Sequence, residues 1–180
     1  VAHEVGHQFS GNHSYNQCTG NATQNAGTMV EPGGGVTIMG YAGICAAADN
    51  IATNSIAYFH TISFDEIMTF SNTGNGNSCP TKPATTNNYP VVTGSANYTI
   101  PKSTPFTLTG SATDANGDAL TYSWEEIDNN STNHAVGTAA PWFRSLVPST
   151  SPSRTFPRLS TVLTGATSNL GEYLPNAAGT

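Results

Sequence analysis

Positive charge is scarce in this 180-residue chain: Lys and Arg total 5 against 11 Asp and Glu, a formal net charge of −6 at pH 7. A nucleic-acid backbone or an anionic membrane surface calls for a basic patch. Lys82, Lys102, Arg144, Arg154 and Arg158 form nothing denser than the pair Arg154 and Arg158, so neither partner is expected. Charge of either sign is rare, at 9% of residues against about 25% in an ordinary soluble domain. The surface must then be built from Ser, Thr, Asn and Gly, a composition that suits a secreted or cell-surface protein. Long apolar runs are also missing. None approaches the roughly 18 residues of a membrane span, and the uncharged stretch 32–48 is interrupted by Gly33, Gly34, Gly35, Gly40 and Gly43. The chain opens with Val1 in what reads as the interior of a helix. It is therefore expected to be a fragment, with any targeting segment upstream.

The character of the sequence changes near Cys79. Residues 1–79 hold four of the five His and all three Cys and Met. Residues 80–88, Pro-Thr-Lys-Pro-Ala-Thr-Thr-Asn-Asn, read as a linker. Residues 89–180 carry short Thr- and Val-rich runs separated by turn signals. The expected class is α+β. A helix opens the chain with Gly11 as its stop, a loop runs from Asn12 to about Val36, and the turn Thr37–Tyr41 follows. Ser63-Phe64-Asp65-Glu66 reads as a capping box opening a second helix to about Ser71, with Ile67 and Phe70 on its buried face. Tyr98–Ile100, Phe106–Thr109 and Leu120–Trp124 alternate with period two and read as strands. The stretch 144–158, with three prolines, reads as irregular.

The sharpest chemical signal is His3-Glu4-Val5-Gly6-His7-Gln8-Phe9-Ser10-Gly11-Asn12-His13. His3 and His7 are four apart, so on a helix they share a face and can grip one ion. Glu4 beside them is placed to take a proton from water. His13 must swing back as a third ligand, and Gly11 and Asn12 offer the left-handed backbone for that turn. Three imidazoles leave a fourth position open, the arrangement of a catalytic zinc. His60 and His134 lack such partners and read as surface or half-buried residues. Met29 and Met68 read as packing residues, and Glu31-Pro32-Gly33 as a turn.

This segment resembles the metzincin signature His-Glu-x-x-His-x-x-Gly-x-x-His, with Ser10 standing where the pattern has Gly. Thr37-Ile38-Met39-Gly40-Tyr41 resembles the Met-turn of the same family, which implies that Met39 lies beneath the three His. A Tyr two residues after the Met is similar to the astacin-like and serralysin-like branches, which implies that Tyr41 is an extra zinc ligand that swings off to stabilise the transition state. Residues 1–79 look most like the lower half of a bacterial reprolysin-like zinc protease, although Ser14 follows the third His where reprolysins commonly have Asp. The resemblance implies an upstream half of the catalytic domain that is not in this chain. The isolated 180 residues are accordingly expected to show negligible proteolysis.

Three Cys in a secreted protein suggest one bridge and one leftover, or else three free thiols. Cys18 follows the third His and Cys45 follows the Met-turn, so a bridge between them would pin the loop carrying His13, leaving Cys79 over. Asp114, Asn116 and Asp118 alternate oxygen ligands around Gly117, either a short calcium loop or a plain polar turn. A similar turn precedes a Trp-bearing strand in cadherin-like and polycystic-kidney-disease-like modules, so 89–180 resembles a truncated immunoglobulin-like sandwich.

The function expected from these readings is a secreted zinc endopeptidase acting on protein or peptide, with Glu4 as general base. The alternative is an extracellular binding module with an inert zinc-site remnant. Glu4 discriminates, because a decaying site would be expected to lose its base before its fold.

Overall fold

A computed structural model describes residues 1–130, 132, 133, 136, 139–166, 168, 169 and 171–174; His134 lies outside them. Helix α1 spans Ala2–Gln8. Val5 and the flanking cap residues Val1 and Phe9 stay exposed, while Gly6 is buried. From residue 11 to residue 60 the chain has no helix or strand, yet much of it is buried, with Tyr15, Met29, Val30, Val36 and Met39 each at 2% exposure or less. Buried irregular backbone must find partners for its amides and carbonyls, and here it finds them across the loop. Asn16 N donates to the Glu31 carbonyl, Glu31 N to Ser14, Gln17 N to Gly33, Gly34 N to Asp49 and Ile56 N to Val36. A disulfide between Cys18 and Cys45 closes the same region.

Helix α2 spans Thr61–Asn72 and begins two residues before the expected capping box. His60 is its cap: Nδ1 accepts from Ile62 N at 3.2 Å. At 1% exposure His60 is a core residue and not a surface one, because that cap and Glu125, 3.8 Å away, give its ring polar partners inside. Ser63 is buried inside the helix, and Glu66 reaches away from the helix start to Asn12. Ile67 and Phe70 are half-buried. A 3₁₀ turn, Asn75–Ser78, follows. Residues 80–90 are exposed and carry no regular structure.

The second region contains β1 (Val91–Thr93), β2 (Phe106–Thr109), β3 (Ser111–Thr113), β4 (Ser153–Phe156), α3 (Leu159–Leu163), β5 (Ser168–Asn169) and β6 (Glu172–Tyr173). The strands pair as three separate antiparallel ladders, β1 with β3, β2 with β4 and β5 with β6. The class is α+β with small sheets; among the described residues no sheet exceeds two strands, and no sandwich forms. Of the three strands read from alternation, only Phe106–Thr109 is one. Tyr98 and Ile100 remain exposed, so alternation there reflects no buried face. Leu120–Trp124 makes a single bridge, Tyr122 to Ser149. Conversely, β4 lies in the stretch read as irregular. Its buried positions are Arg154 and Phe156, and an Arg on the inner face hides the alternation. Arg154 is sustained there by Glu172 at 2.7 Å and by the carbonyls of Trp124 and Arg144. Trp142, Phe143 and Phe156 form the core of this region, flanked by Phe106, Leu108 and Trp124.

A polar seam joins the two regions. The Glu125 carboxylate accepts from the Tyr58 hydroxyl at 2.6 Å and from Thr61 N at 2.6 Å. Arg144 donates to the Ile51 carbonyl at 2.8 Å, and Asn129 to that of Ala26 at 2.7 Å.

Candidate metal centre

Helix α1 places His3 and His7 one turn apart on one face. The chain then reverses at once. Gly11 N returns to the Gly6 carbonyl at 2.9 Å. The left-handed residue of this turn is Ser10, at φ 67°, and not Gly11 or Asn12. That conformation costs a non-glycine residue roughly 1–2 kcal/mol. Gly11 is needed for a different reason: a Cβ there would lie 3.0 Å from the Gly6 carbonyl oxygen. Asn12 is then clamped by Glu66 of α2, which accepts from its backbone N at 2.8 Å and from its Nδ2 at 2.5 Å. This clamp delivers His13 to the other two imidazoles.

The three Nε2 atoms converge, His3 to His7 at 3.1 Å, His7 to His13 at 3.1 Å and His3 to His13 at 3.3 Å. Their opposite nitrogens are committed elsewhere. His3 Nδ1 lies 2.7 Å from the Ile38 carbonyl, His7 Nδ1 2.7 Å from that of Gly11, and His13 Nδ1 2.6 Å from that of Thr23. A carbonyl only accepts, so each Nδ1 carries the proton, and in the neutral ring Nε2 is then a bare lone pair. Three lone pairs facing one another repel unless a cation sits among them. Four-coordinate zinc with bonds of about 2.0–2.1 Å sets neighbouring nitrogens roughly 3.3 Å apart, close to the separations here. The residues present therefore fit zinc. Burial lowers the His13 pKa, which favours the neutral ligand form.

Glu4 lies exposed on α1. Its charge pulls the His13 pKa upward against the larger effect of burial, so it acts on the same space. Met39 is fully buried against Gly6, and Ile38 beside it supplies the carbonyl that holds His3. The Tyr41 ring lies 4.7 Å from that of His13 and 5.5 Å from that of His3, and stacks on Tyr15 at 4.5 Å. Both tyrosine hydroxyls approach Thr23 Oγ1, Tyr15 at 2.7 Å and Tyr41 at 3.4 Å. Cys18 and Cys45 are bridged, and Cys79 is free and exposed.

The Asp114–Asp118 turn is closed by its own hydrogen bonds. Asp114 Oδ1 accepts from Asn116 N at 2.8 Å and Asp118 N at 3.1 Å, while Asn116 Oδ1 accepts from Asn88. Among the described residues, His3, His7 and His13 are the one group of three or more His, Cys, Asp or Glu that could share an ion.

Sequence reasoning missed Tyr15, Thr23, Glu31 and the clamp from Glu66. Thr23, Glu31 and Glu66 act on the site from 10 or more positions away, and no local pattern marks such a contact.

Residues 1–69 match the model of the metallo-peptidase family M12B, reprolysin-like. No curated protein and no solved structure matches the chain significantly.

Proposed function

We propose that this chain carries the zinc-binding part of a secreted metalloendopeptidase, with His3, His7 and His13 as ligands and Glu4 as general base. The observation that carries the reading is the convergence of three Nε2 lone pairs whose Nδ1 protons are each held by a carbonyl. The match of residues 1–69 to a metallopeptidase family supports it. So does a disulfide, which belongs to oxidising compartments. No helix among the described residues is long and apolar enough to cross a membrane.

Held by His3, His7 and His13, a zinc ion would supply Lewis acidity, acidifying water and polarising a peptide carbonyl. Glu4 accepts the proton of the attacking water and passes it to the leaving amine. Tyr41, beside His3 and His13, donates its hydroxyl to the oxyanion that develops on the carbonyl. The carbonyls of Ile38, Gly11 and Thr23 keep the imidazoles in the ligating tautomer throughout.

Metal analysis after refolding with zinc tests the reading. About one zinc per chain is expected for the unaltered protein, and a large loss in His13→Ala. Unchanged zinc content in His13→Ala would remove His13 as a ligand and overturn the assignment.

A further inference from the structure

Glu31 is the most heavily bonded buried carboxylate near the metal centre. It is 1% exposed and lies 18 residues after His13 in sequence. Oε2 accepts from Ser14 Oγ at 2.5 Å and from Thr37 Oγ1 at 2.6 Å. Oε1 accepts from Val36 N at 2.8 Å and from Thr37 N at 3.0 Å. Its backbone is committed as well, with N donating to the Ser14 carbonyl and its own carbonyl accepting from Asn16 N, both at 2.9 Å. The chain is shaped around this side chain. Gly35, at φ 70°, passes so close that a Cβ there would lie 3.0 Å from Oε2.

These bonds run to two of the three imidazoles. Ser14 directly follows His13. Thr37 directly precedes Ile38, whose carbonyl holds His3 Nδ1 at 2.7 Å. A buried carboxylate is costly unless hydrogen bonds replace its water. The four donors meet that need, and in exchange they lock the segment after His13 to the segment before Met39. We infer that Glu31 is a positioning residue of the metal centre, acting through Ser14 on His13 and through Thr37 and Ile38 on His3. The inference rests on the zinc reading above. Glutamine at this position cannot reproduce the arrangement, because its amide NH₂ would face donors already aimed at it.

The test measures zinc affinity by competition with a chromophoric chelator, and the visible absorption of the cobalt-substituted chain. Its variants are Glu31→Gln, Ser14→Ala and Thr37→Val, with Glu172→Gln as a control. Glu172 is equally buried but belongs to the second region, paired with Arg154. Groups that orient metal ligands are typically worth 10–100-fold in metal affinity. Glu31→Gln is expected to weaken zinc binding by about that factor and to alter the cobalt spectrum. Glu172→Gln is expected to lower the unfolding midpoint with zinc affinity unchanged. A folded Glu31→Gln that binds zinc within about threefold of the unaltered chain would overturn the inference and leave the metal site standing. Should Glu31→Gln not fold, the hydroxyl deletions decide. A rise in zinc Kd in Ser14→Ala and Thr37→Val supports the role, and unchanged Kd in both overturns it. Absence of zinc binding in the unaltered chain would overturn the metal reading itself, and this inference with it.

Discussion

Gly6 and Met39 meet so closely that a Cβ on residue 6 would lie 2.5 Å from the Met39 Sδ, with Phe59 Cε1 3.1 Å away on the same side. This contact sets the height of α1 above the Thr37–Tyr41 turn, and hence the reach of His3 to the Ile38 carbonyl. Met39 is fully buried, so its side chain would have to shift within the packed interior. Gly6→Ala should therefore overpack the contact, at a cost of about 1–3 kcal/mol. The expected outcome is a lower unfolding midpoint together with weaker zinc binding, followed by thermal melts and chelator competition. A wild-type melt in this variant would show that the helix rides freely on the turn.

Glu4 is a proton carrier and not a ligand in the proposed chemistry. Glu4→Ala, made in the protein expressed from its complete reading frame, should keep its zinc and lose peptide cleavage. General-base catalysis is typically worth about 10²–10⁴-fold. Residual cleavage within about tenfold of the unaltered enzyme would contradict the role.

The Cys18–Cys45 bridge spans 27 positions and encloses the loop that carries Thr23, Glu31 and the Met-turn. Closing a loop of that size is worth about 3–4 kcal/mol in the chain-entropy account. Cys45→Ser should lower denaturant stability by that order and weaken zinc binding as well. Thiol labelling of the unaltered, unreduced chain should modify Cys79 alone.

Glu126 gives the second region a pH dependence. Burial raises its pKa from 4.5 to about 8, against the amides of Trp142 and Phe143 that donate to it. The folded chain thus holds this proton more tightly than the unfolded chain does. The stabilisation from it is complete below about 4.5 and is lost as pH rises through about 8. Glu126→Gln mimics the protonated form. Its melting temperature relative to the unaltered chain should rise between pH 5 and pH 8, and a constant difference would refute the shift.

Calcium should have little effect on the turn at Asp114, Asn116 and Asp118. Asp114 Oδ1 already accepts from Asn116 N and Asp118 N, and Asn116 Oδ1 from Asn88 N. Millimolar calcium is expected to leave the melting curve unmoved, and a rise of several degrees would assign a site.

The legible parts of this protein were those written in short-range spacing. His3 and His7 at i and i+4 share a helix face whatever the rest of the chain does, since 3.6 residues per turn decides it. The Phe106–Thr109 alternation marked β2 for the same kind of reason. Local reading failed where a contact is made across the fold. Ser63-Phe64-Asp65-Glu66 has the composition of a capping box, yet tertiary packing turned Glu66 toward Asn12 and let His60 cap the helix. Arg154 falls in a stretch that reads as irregular and became the inner face of β4, because Glu172 arrives from 18 positions downstream.

The sequence by itself determined the three-histidine set, its spacing and the chemical class proposed from it, because residue identity and helical period are local properties. Only the tertiary structure decided that the three Nε2 atoms face one another, that Ser10 takes the left-handed turn, and that Glu31 bonds both Ser14 beside His13 and Thr37 beside Ile38. Those outcomes depend on which distant donors and acceptors burial brings within about 3 Å of each other, and no spacing along the chain encodes that distance.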